Sequence, residues 1–84
     1  MQLTYLQDPG HGWIACPISL AHDLRIAERV SPFSYFEANT LWLEEDCDAS
    51  LLIEALERNG TPFTLRHVHV NTDAYVRNLP RWNP

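Results

Sequence analysis

An amphipathic pattern in the second half of the chain constrains the fold most. Apolar residues recur at the spacing of one helix face, at Ala49, Leu52, Ile53 and Leu56. Asp48 or Asp46 is suited to cap the start of this helix, and Gly60 stands where a left-handed residue commonly ends one. Because a chain of 84 residues can build only one core, residues 1–84 are predicted to form a single domain with this helix packed on it.

Short segments of strand composition lie on both sides of this helix. Turn-forming residues around Pro9-Gly10 predict an N-terminal hairpin, and Glu37-Ala38-Asn39 predicts the turn of a second one. Pro62 ends the helix and precedes a last alternating segment that carries His67 and His69 on one side. The predicted strands are residues 3–6, 12–16, 33–36, 40–43 and 63–70.

The remaining elements complete the predicted fold class. Ser19 follows Pro17 and is predicted to cap a short helix that reaches about Arg25. The order is then β-β-α-β-β-α-β, which predicts an α+β fold with a mainly antiparallel sheet of about five strands and two helices packed on one side. The tail is less regular, and four residues are expected to hold it against the body: Tyr75, Val76, Leu79 and Trp82.

Charge and composition disfavour several classes of protein. The chain has eleven acidic residues against six basic ones, all arginine, so it lacks the basic excess of a general nucleic-acid binder. No run approaches the roughly 18 to 20 apolar residues that span a bilayer, and the first residues do not resemble a signal peptide, so we expect a cytoplasmic protein without membrane contact. Cys16 and Cys47 are expected to be buried thiols.

The densest charge feature is Glu44-Glu45-Asp46-Cys47-Asp48, directly before the amphipathic helix. One interpretation is structural, with Asp46 or Asp48 capping the helix for about 0.5–2 kcal/mol and the other carboxylates near its positive end. A second is functional, with the carboxylates presenting a phosphate-like charge pattern to an arginine- and lysine-rich groove. Metal binding is a third interpretation, although the EF-hand pattern is absent. The functional interpretation gives six candidate partner-binding residues: Glu44, Glu45, Asp46, Asp48, Glu54 and Glu57.

Three histidines are candidates for chemistry. His67 and His69 share one side of the last predicted strand, and with His11 they suggest a small metal-dependent or hydrolytic enzyme as an alternative. Solvent-facing histidines explain the same pattern, and no nucleophile, orienting carboxylate or phosphate loop accompanies them. We therefore predict no catalytic residue, no cofactor and no metal ligand.

Three segments together carry a resemblance to known proteins. They are Asp8-Pro9-Gly10-His11-Gly12-Trp13, Ser31-Pro32-Phe33-Ser34-Tyr35 and Leu43-Glu44-Glu45-Asp46-Cys47-Asp48-Ala49. They resemble a family of short phage- and prophage-borne proteins, and within it the chain is similar to type I anti-CRISPR proteins that inhibit the type I-C effector complex.

The resemblance implies a stoichiometric blocker rather than an enzyme. Its expected partners are protein subunits of a bacterial CRISPR effector complex (Cascade), whose binding to target DNA it would prevent, and no direct contact with nucleic acid is expected. A phage structural or regulatory protein that binds its own kind is the remaining alternative. Residues 63–70, as an exposed edge strand, can pair across a homodimer or be covered by the tail.

Overall fold

A computed structural model describes residues 1–83 of the protein. Five strands lie in this range: β1 (Gln2–Gln7), β2 (Gly12–Pro17), β3 (Tyr35–Glu37), β4 (Thr40–Glu44) and β5 (Thr64–His69). The helices of the same range are α1 (Ile18–Asp23), α2 (Ala49–Arg58) and two short 3-10 helices at Ala27–Arg29 and Tyr75–Asn78. The predicted α+β class and the predicted order of strands and α-helices are confirmed.

The strands form one mixed sheet in the order β3-β4-β2-β1-β5. Its neighbouring strands are antiparallel except for β5, which lies parallel to β1 with Tyr5 opposite His67. Because β4 and β1 are both antiparallel to β2, and β5 is parallel to β1, strands β4 and β5 run in the same direction. The connection from β4 to β5 must therefore be a crossover that returns to the starting end of the sheet. The amphipathic helix α2 is this crossover, and its apolar face therefore lies on the sheet.

The main core lies between the two α-helices and one face of the sheet. Leu52 and Leu56 of α2 are fully buried there, as is Ala21 of α1. The sheet contributes alternate residues of its strands, as the period of two requires: Leu3, Ile14, Cys16, Leu41 and Leu43. Both helices thus pack on one side, as the sequence predicts.

The C-terminal segment covers the opposite face of the sheet. Val76 in the second 3-10 helix is fully buried and packs in a cluster with Trp13 and Trp42. Leu79 is partly buried in this cluster, whereas Trp82 reaches the main core and donates from Nε1 to the carbonyl of Ala27 at 3.1 Å. The tail is therefore held through Val76, Leu79 and Trp82.

Tyr75 belongs only loosely to that attachment. Its side chain is 53% exposed, although its ring stands edge-on to Trp42 at 6.0 Å and its hydroxyl donates to Glu37. Burial and the carboxylate of Glu37 both raise the pKa of this hydroxyl. Most of its surface nevertheless faces solvent.

The first helix begins and ends differently from the prediction. Pro17, not Ser19, occupies its N-cap position and no side chain caps it, so the cap prediction for Ser19 is wrong. The helix stops at Asp23 because Arg25 adopts a left-handed φ of 61°, and the amide of Ile26 returns to the carbonyl of Ala21. That turn directs Ile26 into the core, where it is fully buried.

The end of α2 follows the prediction. Gly60 has a φ of 67°, a conformation in which glycine has no Cβ penalty. The amide of Thr61 donates to the carbonyl of Leu56, and that of Gly60 to Glu57, which is the hydrogen-bond pattern of a glycine-terminated helix.

The tail pairs with the sheet at β3 rather than covering β5. The amide of Phe36 donates to the carbonyl of Pro80, and Tyr35 forms a bridge with Arg81. In the sheet order β5 is the opposite edge strand. The tail therefore does not cover the edge strand at residues 63–70, which was one of the two alternatives. The other alternative, a homodimer formed through this edge, stays a prediction.

A buried carboxylate clamps the tail to the first turn. The side chain of Asp8 has no exposed surface and accepts from Nε and Nη2 of Arg77 at 2.6 and 2.8 Å. It also accepts from the amides of Gly10, His11 and Ala74. The Arg77 guanidinium, aided by these amides, holds the pKa of Asp8 well below its ordinary value although burial opposes the shift.

We expect Arg77→Gln to lower the urea concentration at which the protein unfolds at neutral pH, because the buried carboxylate of Asp8 then loses its countercharge. The depressed pKa stabilises the fold above the unfolded value of about 3.9, and this stabilisation is lost as the pH falls below it. The variant should therefore lose less stability on acidification than the wild type. Tryptophan fluorescence at pH 7 and pH 3 measures both effects.

Arg66→Gln on β5 is the matched control, since Arg66 is exposed and lies outside the ion pairs formed among the described residues. It removes the same charge without touching Asp8. Equal unfolding midpoints for the two variants would show that the clamp does not stabilise the fold.

Candidate functional site

The four carboxylates at residues 44–48 differ in how far they are exposed to solvent. Glu44 and Asp48 are only 7% and 2% exposed and turn inward, Glu45 is half-buried, and Asp46 is exposed. Glu54 and Glu57, further along α2, are exposed as predicted. Of the six candidate partner-binding residues, Glu44 and Asp48 are therefore buried, because both accept hydrogen bonds inside the protein.

Asp48 stands at the N-cap position of α2 but its side chain does not cap the helix. Its carboxylate accepts instead from the amide and hydroxyl of Ser31 and from the hydroxyl of Ser34. Ser34, fully buried, in turn accepts from the amide of Glu44 at 3.0 Å. The capping interpretation is thus wrong for the Asp48 side chain, which ties the loop before β3 to the start of α2.

Glu44 closes the turn that follows β4. Its Oε2 accepts from the amides of Asp46 and Cys47, both at 2.9 Å. Its Oε1 lies 3.4 Å from Nδ1 of His11, which stands at the tip of the first turn, as predicted, with 46% of its side chain exposed. Glu44 therefore connects the second hairpin to the first.

A cleft of about 360 Å³ opens beside this contact. Trp13 and Tyr35 lie on its wall with their rings 6.4 Å apart and edge-on. Arg77 lies over the Trp13 ring at 5.5 Å and Arg81 over the Tyr35 ring at 5.3 Å. The other lining residues are His11, Phe33, Glu44, Asp46 and Cys47.

This cleft brings together three segments that are distant in the sequence, residues 8–13, 31–35 and 43–49. Trp13 comes from the first segment, Tyr35 from the second and Glu44 from the third. The sequence contains no periodicity that predicts a common site for these three residues. Phe33, from the second segment, is 60% exposed and also lines the cleft.

A second groove, of about 480 Å³, lies between α2 and the strands β1 and β5. Three of the predicted partner-binding residues line it: Glu45, Glu54 and Glu57. Its apolar lining includes Tyr5, Ile53 and Leu65. We call this surface, defined by those six residues, the acidic groove.

The position of Glu45 in the acidic groove is fixed from two sides. Its carboxylate accepts from the hydroxyl of Tyr5, and its amide donates to the carbonyl of Gly12 at 2.9 Å. Burial, and to a smaller extent the hydrogen bond to Glu45, raises the pKa of Tyr5 to about 12. The hydroxyl is therefore protonated at neutral pH and donates to Glu45. The Tyr5 ring also lies against Gly12, where a Cβ would come within 2.5 Å of it.

The one group of side chains in the described range with metal-ligand geometry combines His11, Glu44 and Asp46. Their ligand atoms all lie within 4.8 Å of one another. The alternative set of three histidines is not assembled, since His67 and His69 are outside this group. His67 instead packs its ring against that of Tyr5 at 5.2 Å.

The two cysteines differ in exposure, and both are free thiols. Cys16 is fully buried, as predicted, and burial raises its pKa to about 12. Cys47 is exposed, which corrects the prediction, and its hydrogen bond with Glu44 raises its pKa. Neither thiol is therefore activated as a nucleophile, because thiolate formation is disfavoured at both.

No family model, curated protein or solved structure matches this chain. Among residues 1–83, no helix has the length and apolar character needed to cross a bilayer.

We expect Ser34→Ala to reduce the free energy of unfolding by about 1–3 kcal/mol, because it leaves the buried amide of Glu44 without its acceptor and Asp48 with one donor fewer. Ser50→Ala is the matched control, since Ser50 is exposed on α2. It should change stability by less than about 0.5 kcal/mol. Urea unfolding of both variants tests this expectation, and equal stabilities would contradict the role assigned to Ser34.

Proposed function

We propose that this protein is a stoichiometric inhibitor that binds a basic, nucleic-acid-binding protein surface. The observation that carries the proposal is the acidic groove, where Glu45, Glu54 and Glu57 surround an apolar lining. Carboxylates arranged in this way attract arginine and lysine side chains and raise association rates with a positive surface. The apolar lining adds burial, which a purely charged contact lacks.

The net charge of the chain supports the same type of partner. A formal charge of −5 repels nucleic acid and attracts a protein surface that is itself built to hold nucleic acid. Asp46 adds a further exposed carboxylate on the turn next to Glu45. Glu44 and Asp48 no longer belong to the proposed contact surface, because both are buried.

The sequence resemblance supports a specific partner, the DNA-binding surface of a type I CRISPR effector complex. In this proposal the protein occupies that surface and keeps target DNA away, without catalysis and without touching DNA itself. Inhibition then saturates at a fixed ratio of inhibitor to effector complex. An enzyme would instead inactivate an excess of the complex with time.

We expect the double variant Glu54→Lys, Glu57→Lys to weaken binding to a purified type I-C effector complex by about tenfold or more, since two attractive contacts become repulsive. Both residues are exposed on α2 and make none of the internal hydrogen bonds described above. Target-DNA binding by the complex, measured by gel shift at increasing inhibitor, gives the readout. The wild type should also lose potency as salt is raised.

Asp23→Lys, Glu28→Lys is the matched control, because it makes the same change in net charge at exposed residues around the end of α1. It should inhibit nearly as well as the wild type. Equal inhibition by both double variants would refute the acidic groove as the contact surface. Absence of inhibition by the wild type would refute the proposed partner.

A further inference from the structure

We propose that His11, Glu44 and Asp46 bind one divalent transition-metal ion of the zinc class at the wall of the cleft. This site is separate from the acidic groove and does not depend on the proposed inhibitory function. It uses only one of the three histidines that the sequence offered for metal binding. Its carboxylate ligands come from the turn after β4.

The first support is the spacing of the potential ligand atoms. Nδ1 of His11 and Oε1 of Glu44 lie 3.4 Å apart. Two ligands about 2.1 Å from one tetrahedral ion are separated by about 3.4 Å, so the distance between these atoms matches that of two ligands of one ion. A carboxylate oxygen of Asp46 lies within 4.8 Å of a ligand atom of each of the other two residues, and this exposed side chain can rotate toward them.

The second support is the charge of Glu44. Its side chain is only 9% exposed, and no arginine lies within ion-pair distance of it in the described part of the chain. Arg77, one of the two arginines of the cleft, is paired with Asp8. Buried carboxylates are generally paired with a cation or bound to a metal, and among the described residues only His11 lies within ion-pair distance of Glu44.

The third support is the way in which Glu44 is oriented. The amides of Asp46 and Cys47 hold Oε2, so Oε1 is directed toward His11. Hydrogen bonds of this kind fix the geometry of ligating carboxylates in metal sites. Asp46 follows Glu44 by two residues on the same turn, which keeps the two carboxylates together.

Three protein ligands leave one tetrahedral position for water or for a group of a bound molecule. In this site that position faces a cleft whose walls include Trp13, Tyr35 and Arg81. The ligand class that fits is a small anion with an apolar or aromatic part, since a metal ion and an arginine favour negative charge while the rings offer apolar contact.

The test uses the full chain, freed of metal with a chelator that is then removed by dialysis. Titration with zinc chloride in a calorimeter should show one ion bound per chain. Cobalt chloride should give the intense visible absorption of a four-coordinate ion. Asp46→Asn and His11→Gln should each weaken zinc binding by about tenfold or more, the loss that changes in a metal's coordination sphere produce.

His69→Gln is the control, because it removes another possible zinc ligand outside the proposed set. It should bind zinc as the wild type does. The proposal is overturned if the wild type shows no saturable binding of zinc. It is also overturned if Asp46→Asn and His11→Gln bind as tightly as the wild type, or if the control variant loses the ion.

Glu44→Gln is left out of this comparison because Glu44 also holds the turn after β4 through two backbone amides. Circular dichroism of Asp46→Asn and His11→Gln should match that of the wild type. Zinc binding is measured without any partner protein, so its failure leaves the acidic-groove proposal standing.

Discussion

Ser34, a fully buried polar residue, connects three separate parts of this structure. It donates to Asp48 at the start of α2 and accepts from the amide of Glu44 at the end of β4. The carbonyl of the same residue accepts from the amide of Trp82 at 2.7 Å. The crossover helix, the second hairpin and the tail therefore meet at one serine, and the second hairpin and the tail both contribute residues to the cleft.

Buried carboxylates fix the loops of this small protein. Asp8 accepts hydrogen bonds from three backbone amides and an arginine, and Asp48 accepts them from one backbone amide and two hydroxyls. Glu44 accepts hydrogen bonds from two backbone amides. Each satisfies donors that a loop would otherwise leave unpaired, at sites where no strand or helix provides an acceptor. Part of the acidic composition therefore serves the interior, which is why net charge overstates the acidity of the surface.

The parts of the fold that sequence could predict are those set by local patterns. The apolar spacing of α2, the left-handed Gly60 and the turn at Pro9-Gly10 all act over a few residues, and each was confirmed. The directions of the carboxylates depend instead on distant partners. Asp48 accepts a hydrogen bond from Ser34, 14 residues away in the sequence, and Asp8 accepts one from Arg77, 69 residues away. No periodicity in the sequence predicts such pairs.

The same limit applies to the candidate sites. Glu54 and Glu57 were predictable as exposed because they lie on the polar face of a helix, whereas Glu44 and Asp48 were not predictable as buried. The exposure of Cys47 depends on how the turn after β4 leaves the sheet. On a helix or strand the periodicity of the sequence predicts which way a side chain points. On a turn the orientation of a side chain depends on tertiary contacts.

The two candidate sites are joined by one peptide bond, since Glu44 lies at the cleft and Glu45 in the acidic groove. Glu45 is held by Tyr5 and by the carbonyl of Gly12, next to His11. Both sites therefore depend on the same contact between the first turn and the turn after β4. An ion bound by His11 and Glu44 would fasten these turns together and so restrict Glu45. If this changes the affinity of the acidic groove for a partner, linkage requires the partner to change the affinity for the ion by the same factor.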